Sequence, residues 1–121
     1  MENFSLTRKG LIGELKTQLM ILNLGFNVFN NVCDDGGVDF IIEKDNIYKK
    51  IQVKRATSIK SKRLSFRLGN TNKKPDFVIC LYEDDYWIVP IGAIKTNAFQ
   101  IYPFGDSSYI NENFKNRWDL L

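Results

Sequence analysis

The sequence predicts an α+β domain with a central mixed β-sheet flanked by helices, and three features of the chain lead there. The N-terminal third carries leucines at helical spacing. Short runs rich in β-branched and aromatic residues, separated by Asp/Asn/Gly turns, follow it. A further apolar run after residue 76 and a return run after another turn complete the pattern, in the order αβββ-αβ. The 121 residues suit one domain, spanning 1–121, with one core.

The elements follow in chain order. Residues from about Leu6 to Leu24 read as a helix, because Leu11, Leu15, Leu19 and Leu22 recur at spacings of four, four and three. That makes one apolar stripe of the kind that packs on a core. Ser5 or Thr7 can cap its start, and Gly25 fits its end. Phe26–Asn31 is a short strand, and Asp34-Asp35-Gly36-Gly37 a turn cluster. Val38–Ile42 and Ile47–Lys54 are strands joined by a tight turn at Lys44-Asp45-Asn46, and so lie antiparallel. Arg55–Arg63 is a basic connection, Leu64–Leu68 a short strand or helix, and Gly69–Pro75 a polar loop. Phe77–Tyr82 is the best buried strand, Tyr86–Pro90 returns beside it, Gly92–Thr96 is a helical turn and Asn111–Leu121 a terminal helix or tail.

Composition removes several classes of function. There is no histidine, so no Ser-His-Asp or Cys-His arrangement, no imidazole zinc site and no histidine-based nuclease is possible. The cysteines Cys33 and Cys80 match no metal-ligand spacing and read as reduced thiols of a cytoplasmic protein. No apolar run approaches the ~20 residues a membrane span needs. The start, MENFSLTRKG, has no basic segment followed by an apolar stretch, so no signal peptide is expected. Chemistry is left to carboxylates, amides, lysines and a hard metal ion, with no organic cofactor.

Charge is unevenly distributed. Residues 44–74 hold 11 basic and 1 acidic side chains, while residues 1–43 hold 3 and 6, and residues 75–121 hold 3 and 7. A solvated lysine-rich surface accounts for such an island, and so does a phosphate-contacting one. On the second account Arg55, Lys60, Lys62, Arg63, Arg67, Lys73 and Lys74 are the candidate contacts to DNA.

One constellation carries chemistry. Gln52 and Lys54, two apart on a strand, point to one face. A turn at Asp45-Asn46 places Asp39 roughly opposite Gln52. An ordinary half-solvated sheet explains this pattern too, with Asp39 and Lys54 as a surface pair worth about 0–1 kcal/mol. The same spacing suits Mg²⁺, which wants oxygen ligands: the Asp39 carboxylate, the Gln52 amide and the Val53 backbone carbonyl. Lys54 would then orient a water or steady the charge of the reacting phosphate.

The order of Gly13-Glu14 on a helix, Gly37-Val38-Asp39-Phe40, and Ile51-Gln52-Val53-Lys54 resembles the PD-(D/E)xK nuclease superfamily. With Gln in place of the usual acidic residue, it is similar to the Gln-x-Lys branch of group I intron homing endonucleases. More distantly, Arg8-Lys9-Gly10 ahead of Glu14 resembles the start of archaeal Holliday junction resolvases. The likeness covers roughly residues 8–90. It implies a restriction-endonuclease-like core and a homing- or restriction-type DNA endonuclease that uses Mg²⁺ or Mn²⁺ and works as a homodimer or higher homo-oligomer. Asp39 would be the central metal ligand, Gln52 the second, Lys54 the catalytic lysine, and Glu14 an acidic group on the metal that offsets the neutral Gln52. A junction resolvase, a catalytically inactive DNA-binding module and an interaction protein on the same scaffold are the alternatives. Gln18, one turn after Glu14, is expected to be solvated, Asp34 and Asp35 to serve the turn, and Asp76 to be structural. Tyr82, Tyr86, Trp87, Phe99 and Tyr102 read as core first and as interface second.

Overall fold

A computed structural model describes residues 5–32, 36–68, 74–104 and 108–121. Helix α1 (Leu6–Asn23) opens on Ser5, whose Oγ accepts the Arg8 N–H at 3.2 Å. It ends at Leu24, where Gly25 takes the left-handed backbone (φ 92°) that terminates many helices. Strands β1 (Asn27–Asn30), β2 (Phe40–Lys44) and β3 (Ile47–Ala56) form an antiparallel meander. Strand β4 (Leu64–Arg67) follows, then β5 (Phe77–Tyr82) and β6 (Asp85–Pro90), and after a short helical turn at Ile91–Ala93 comes β7 (Ala98–Ile101). Helix α2 (Tyr109–Phe114) and a last turn at Trp118–Leu120 complete the chain.

The five-stranded sheet runs β1-β2-β3-β5-β6 and is mixed, because β3 and β5 lie parallel while its other neighbours are antiparallel. A parallel pair needs a long crossover. The expected order places a helix there, but the described residues of this crossover hold β4 and no helix. β4 pairs with β7 in a separate antiparallel ribbon. β7 was not anticipated, and the anticipated terminal helix is shorter, covering only Tyr109–Phe114.

The central sheet buries both faces. One packs Phe40, Ile42, Ile51, Ile79, Leu81 and Ile88 against Ile21 of α1. The other packs Val78, Cys80, Trp87 and Val89 against Leu64, Phe66 and Ile101 of the ribbon and Phe114 of α2. Tyr86 and Trp87 are therefore core, and the Trp87 indole N–H donates to Asn111 Oδ1 at 2.8 Å.

The face that α1 turns to the sheet corrects the sequence reading. Its buried residues are Gly13, Thr17, Gln18 and Ile21. The leucine stripe points outward instead, with Leu11, Leu15, Leu19 and Leu22 each between 51% and 60% exposed. Close approach is the reason. A Cβ on Gly13 would sit 2.9 Å from Arg55 Cδ, so only glycine lets the helix lie this near β3. Thr17 satisfies its hydroxyl within the helix, on the Gly13 carbonyl at 2.8 Å. Gln18, expected in solvent, is buried and donates to Asn30 Oδ1 at 2.6 Å.

Candidate active site

The β2–β3 hairpin sets the site's register. Asp45 and Asn46 both adopt positive φ (54° and 65°), the two-residue turn whose twist matches paired strands. Pairing then runs from Lys44↔Ile47 to Phe40↔Ile51. Asp39 lies one residue beyond the last pair, in line with Gln52, as the sequence spacing predicts. Its N–H donates to the Ile51 carbonyl at 2.8 Å, and its carboxylate Oδ2 accepts the Val53 N–H at 2.7 Å. Two contacts to β3 thus hold a half-buried carboxylate at the end of β2.

On β3, Gln52 pairs with Val78 and Lys54 with Cys80. Directly paired residues share a face, and Val78 and Cys80 belong to the ribbon side of the core. Gln52 and Lys54 therefore project from that side, two residues apart. Gln52 is only 7% exposed, and among the described residues no buried side-chain nitrogen or oxygen is left without a hydrogen-bond partner. Beneath Lys54, burial pushes the Cys80 thiol well above its ordinary range, against the pull of the nearby ammonium, which makes it an inert core residue.

Helix α1 brings the second carboxylate. Glu14 follows the glycine that allows the close approach, and Arg55 locks the two elements by donating from Nη1 to the Lys9 carbonyl at 2.9 Å. Glu14, Asn31, Val38 and Asp39 line one cavity of about 170 Å³. Asn31 is positioned there by donating to the Val38 carbonyl at 3.1 Å. Asn31 is a lining residue that nothing in its strand-end position marks apart from the fold. Among the described residues no cluster of three or more His, Cys, Asp or Glu side chains forms; the cavity itself is lined by two carboxylates, Glu14 and Asp39, with Gln52 on the neighbouring strand and outside its lining. Those are hard oxygen donors, as Mg²⁺ or Mn²⁺ requires, and they leave coordination positions for water. Asp34 and Asp35 lie outside the described residues.

The basic island divides. Arg55 is committed to α1, Lys44 donates to the Leu24 carbonyl at 3.3 Å, and Lys49 donates to the Leu121 backbone carbonyl. Arg55, expected on phosphate, is therefore first a helix clamp. Lys60, Lys62, Arg63, Arg67 and Lys74 are exposed, and Lys73 lies outside the described residues. Asp76 is structural as expected, accepting the Lys50 N–H on Oδ2 at 2.8 Å.

No protein-family model and no curated protein matches the chain. Its architecture, a central mixed sheet flanked by helices, nonetheless matches the fold of a homing endonuclease. The bacterial homing endonuclease I-Ssp6803I has a solved structure that matches 98% of this chain and 91% of its own, with a TM-score of 0.82 at 18% identity. Among the described residues no helix is long and apolar enough to cross a membrane.

Proposed function

We propose that this chain is a metal-dependent DNA endonuclease of the PD-(D/E)xK type, homing- or restriction-like, that hydrolyses phosphodiester bonds. The observation that carries this reading is the convergence of Glu14 and Asp39 on one polar cavity, beside the strand from which Gln52 and Lys54 project. The likeness to I-Ssp6803I supports it, because that protein is a homing endonuclease with the same fold.

Glu14, Asp39, Gln52 and the Val53 backbone carbonyl would hold Mg²⁺ or Mn²⁺. When bound, the ion supplies Lewis-acid stabilisation of charge on the phosphate and a more acidic water. Asp39 is kept in place by the Val53 N–H, so its aim does not depend on the ligand. Lys54 orients the attacking water or steadies negative charge on the phosphate oxygens. Gln52 contributes an oxygen without a charge, and Glu14 offsets that loss.

The chain acts as a homodimer, through the outward stripe of α1. Leu11, Leu15, Leu19 and Leu22 present the same apolar row on each copy, which makes the surface self-complementary about a two-fold axis. Large contiguous apolar patches on soluble proteins mark such contacts.

The test is incubation of supercoiled plasmid and a synthetic four-way junction with the protein, with and without Mg²⁺, beside a Lys54→Ala control. Mg²⁺-dependent nicking that falls roughly 10²–10⁴-fold in the variant is the expected outcome. Equal cutting by both proteins would refute the assignment of Lys54. Salt-sensitive binding without cutting in Mg²⁺ or Mn²⁺ would turn the reading toward a binding module.

A further inference from the structure

The β4–β7 ribbon has a second face that the candidate active site does not use. Its inner face is anchored by Leu64 and Ile101, both 1% exposed, and by Phe66 stacked on Phe99 at 5.5 Å between ring centres. The pairing Ser65↔Gln100 and Arg67↔Ala98 sends those four side chains outward, and all four are exposed. Arg63 continues the row, donating from Nη1 to Gln100 Oε1 at 3.4 Å, where the Tyr102 hydroxyl also approaches at 3.4 Å. At one end, Ser61 and Lys62 form a tight turn with positive φ (53° and 62°), closed by reciprocal backbone bonds between Lys60 and Arg63 at 3.1 and 3.0 Å. At the other end the Leu68 N–H donates to the Asn97 carbonyl at 2.8 Å. The result is a two-stranded ribbon, hydrogen-bonded at both ends, with a cationic, amide-bearing solvent face.

A two-stranded ribbon fits the major groove of B-DNA, where arginine pairs with guanine O6/N7 and glutamine with adenine N6/N7. This ribbon covers the same side of the central sheet from which Gln52 and Lys54 project. We propose that the outer face of the β4–β7 ribbon enters the DNA major groove and reads base edges, with Arg67 and Gln100 specifying sequence while Lys60, Lys62 and Arg63 grip flanking phosphates. The inference rests on DNA being the ligand of the endonuclease reading and adds the element that chooses where the protein binds. Gln100 stands 26 residues outside the basic island, which ends at residue 74, so charge distribution alone does not reveal it.

The experiment is selection of bound duplexes from a randomised pool, in Ca²⁺ so that binding is read without cutting, for the wild type, Arg67→Lys, Arg67→Ala and Gln100→Ala. The wild type is expected to enrich a motif. Both Arg67 variants should flatten a guanine preference at one position, and Gln100→Ala an adenine preference at another, each by about 5–150-fold. Arg67→Lys is decisive, because it keeps the charge and loses the paired fork. Absence of any wild-type motif, an unchanged motif in the variants, or a uniform loss across all sequences would each overturn the assignment. If Arg67→Ala fails to fold, as a thermal melt would reveal, Gln100→Ala and Arg67→Lys still decide. Plasmid nicking by the wild type runs in parallel. A wild type that selects a motif but never nicks would fell the endonuclease reading and leave the ribbon assignment standing.

Discussion

Helix α1 and the β4–β7 ribbon cover opposite faces of the same sheet, and their outward surfaces differ in kind. α1 packs inward with Gly13, Thr17, Gln18 and Ile21 and shows solvent a row of leucines. The ribbon packs inward with Leu64, Phe66, Phe99 and Ile101 and shows solvent Arg63, Ser65, Arg67, Gln100 and Tyr102. Each inner face follows from what it must meet. The helix gives up bulk so that Glu14 can approach the strands, whereas the ribbon fills the space above Val78 and Trp87. The outer faces are then free to differ, and they match different partners: an apolar row suits another protein surface, and a cationic ribbon suits a polyanion.

The largest expected effect on this comparison comes from charging the helix row. Leu15→Glu with Leu19→Glu should convert the dimer to a monomer by sedimentation analysis while leaving the thermal melt nearly unchanged, since both side chains are more than half exposed. A wild type that is monomeric at high concentration would remove the dimer from the account. Next is Gly13→Ala, which forces the new methyl against the Arg55 side chain. Overpacking of this kind costs about 1–3 kcal/mol. It should lower the denaturation midpoint and, by displacing Glu14, weaken metal binding as well; an unchanged melt would mean that the helix does not sit this close. The smallest effect concerns Cys80 on the ribbon side. Its thiol, pushed up by burial, should resist alkylation in the folded protein at pH 8 and react at once in denaturant. Fast labelling of Cys80 in the native state would show that the ribbon does not seal this face.

Local chemistry made the hairpin readable in advance. Asp45-Asn46 is a two-residue turn by composition, and from it the alignment of Asp39 with Gln52 follows by counting. Elements that depend on distant partners were not readable. Ala98–Ile101 becomes a strand by pairing with Leu64–Arg67, more than thirty residues earlier, and nothing in its four residues announces this. The helix orientation failed for a related reason. Leucine periodicity shows that a stripe exists, and says nothing of whether it meets the sheet or another molecule. Gln18 and Arg55 were placed in solvent or on phosphate by residue type, yet both are spent on holding α1 against β1 and β3. Glu14, Asp39, Gln52 and Lys54 are the candidates that spacing and resemblance single out, and the fold brings two of them, Glu14 and Asp39, to one cavity. Asn31, the added lining residue, became visible only once that cavity existed.

In the proposed centre, acids from α1 and from the β2 end, with the β3 amide, would grip a single ion. Titration with Mn²⁺, followed by loss of the free-ion electron paramagnetic signal, measures this directly. The wild type should bind one tight ion per chain, and both Glu14→Ala and Asp39→Ala should bind it at least tenfold more weakly. No ion bound, or an affinity indifferent to both substitutions, would contradict it.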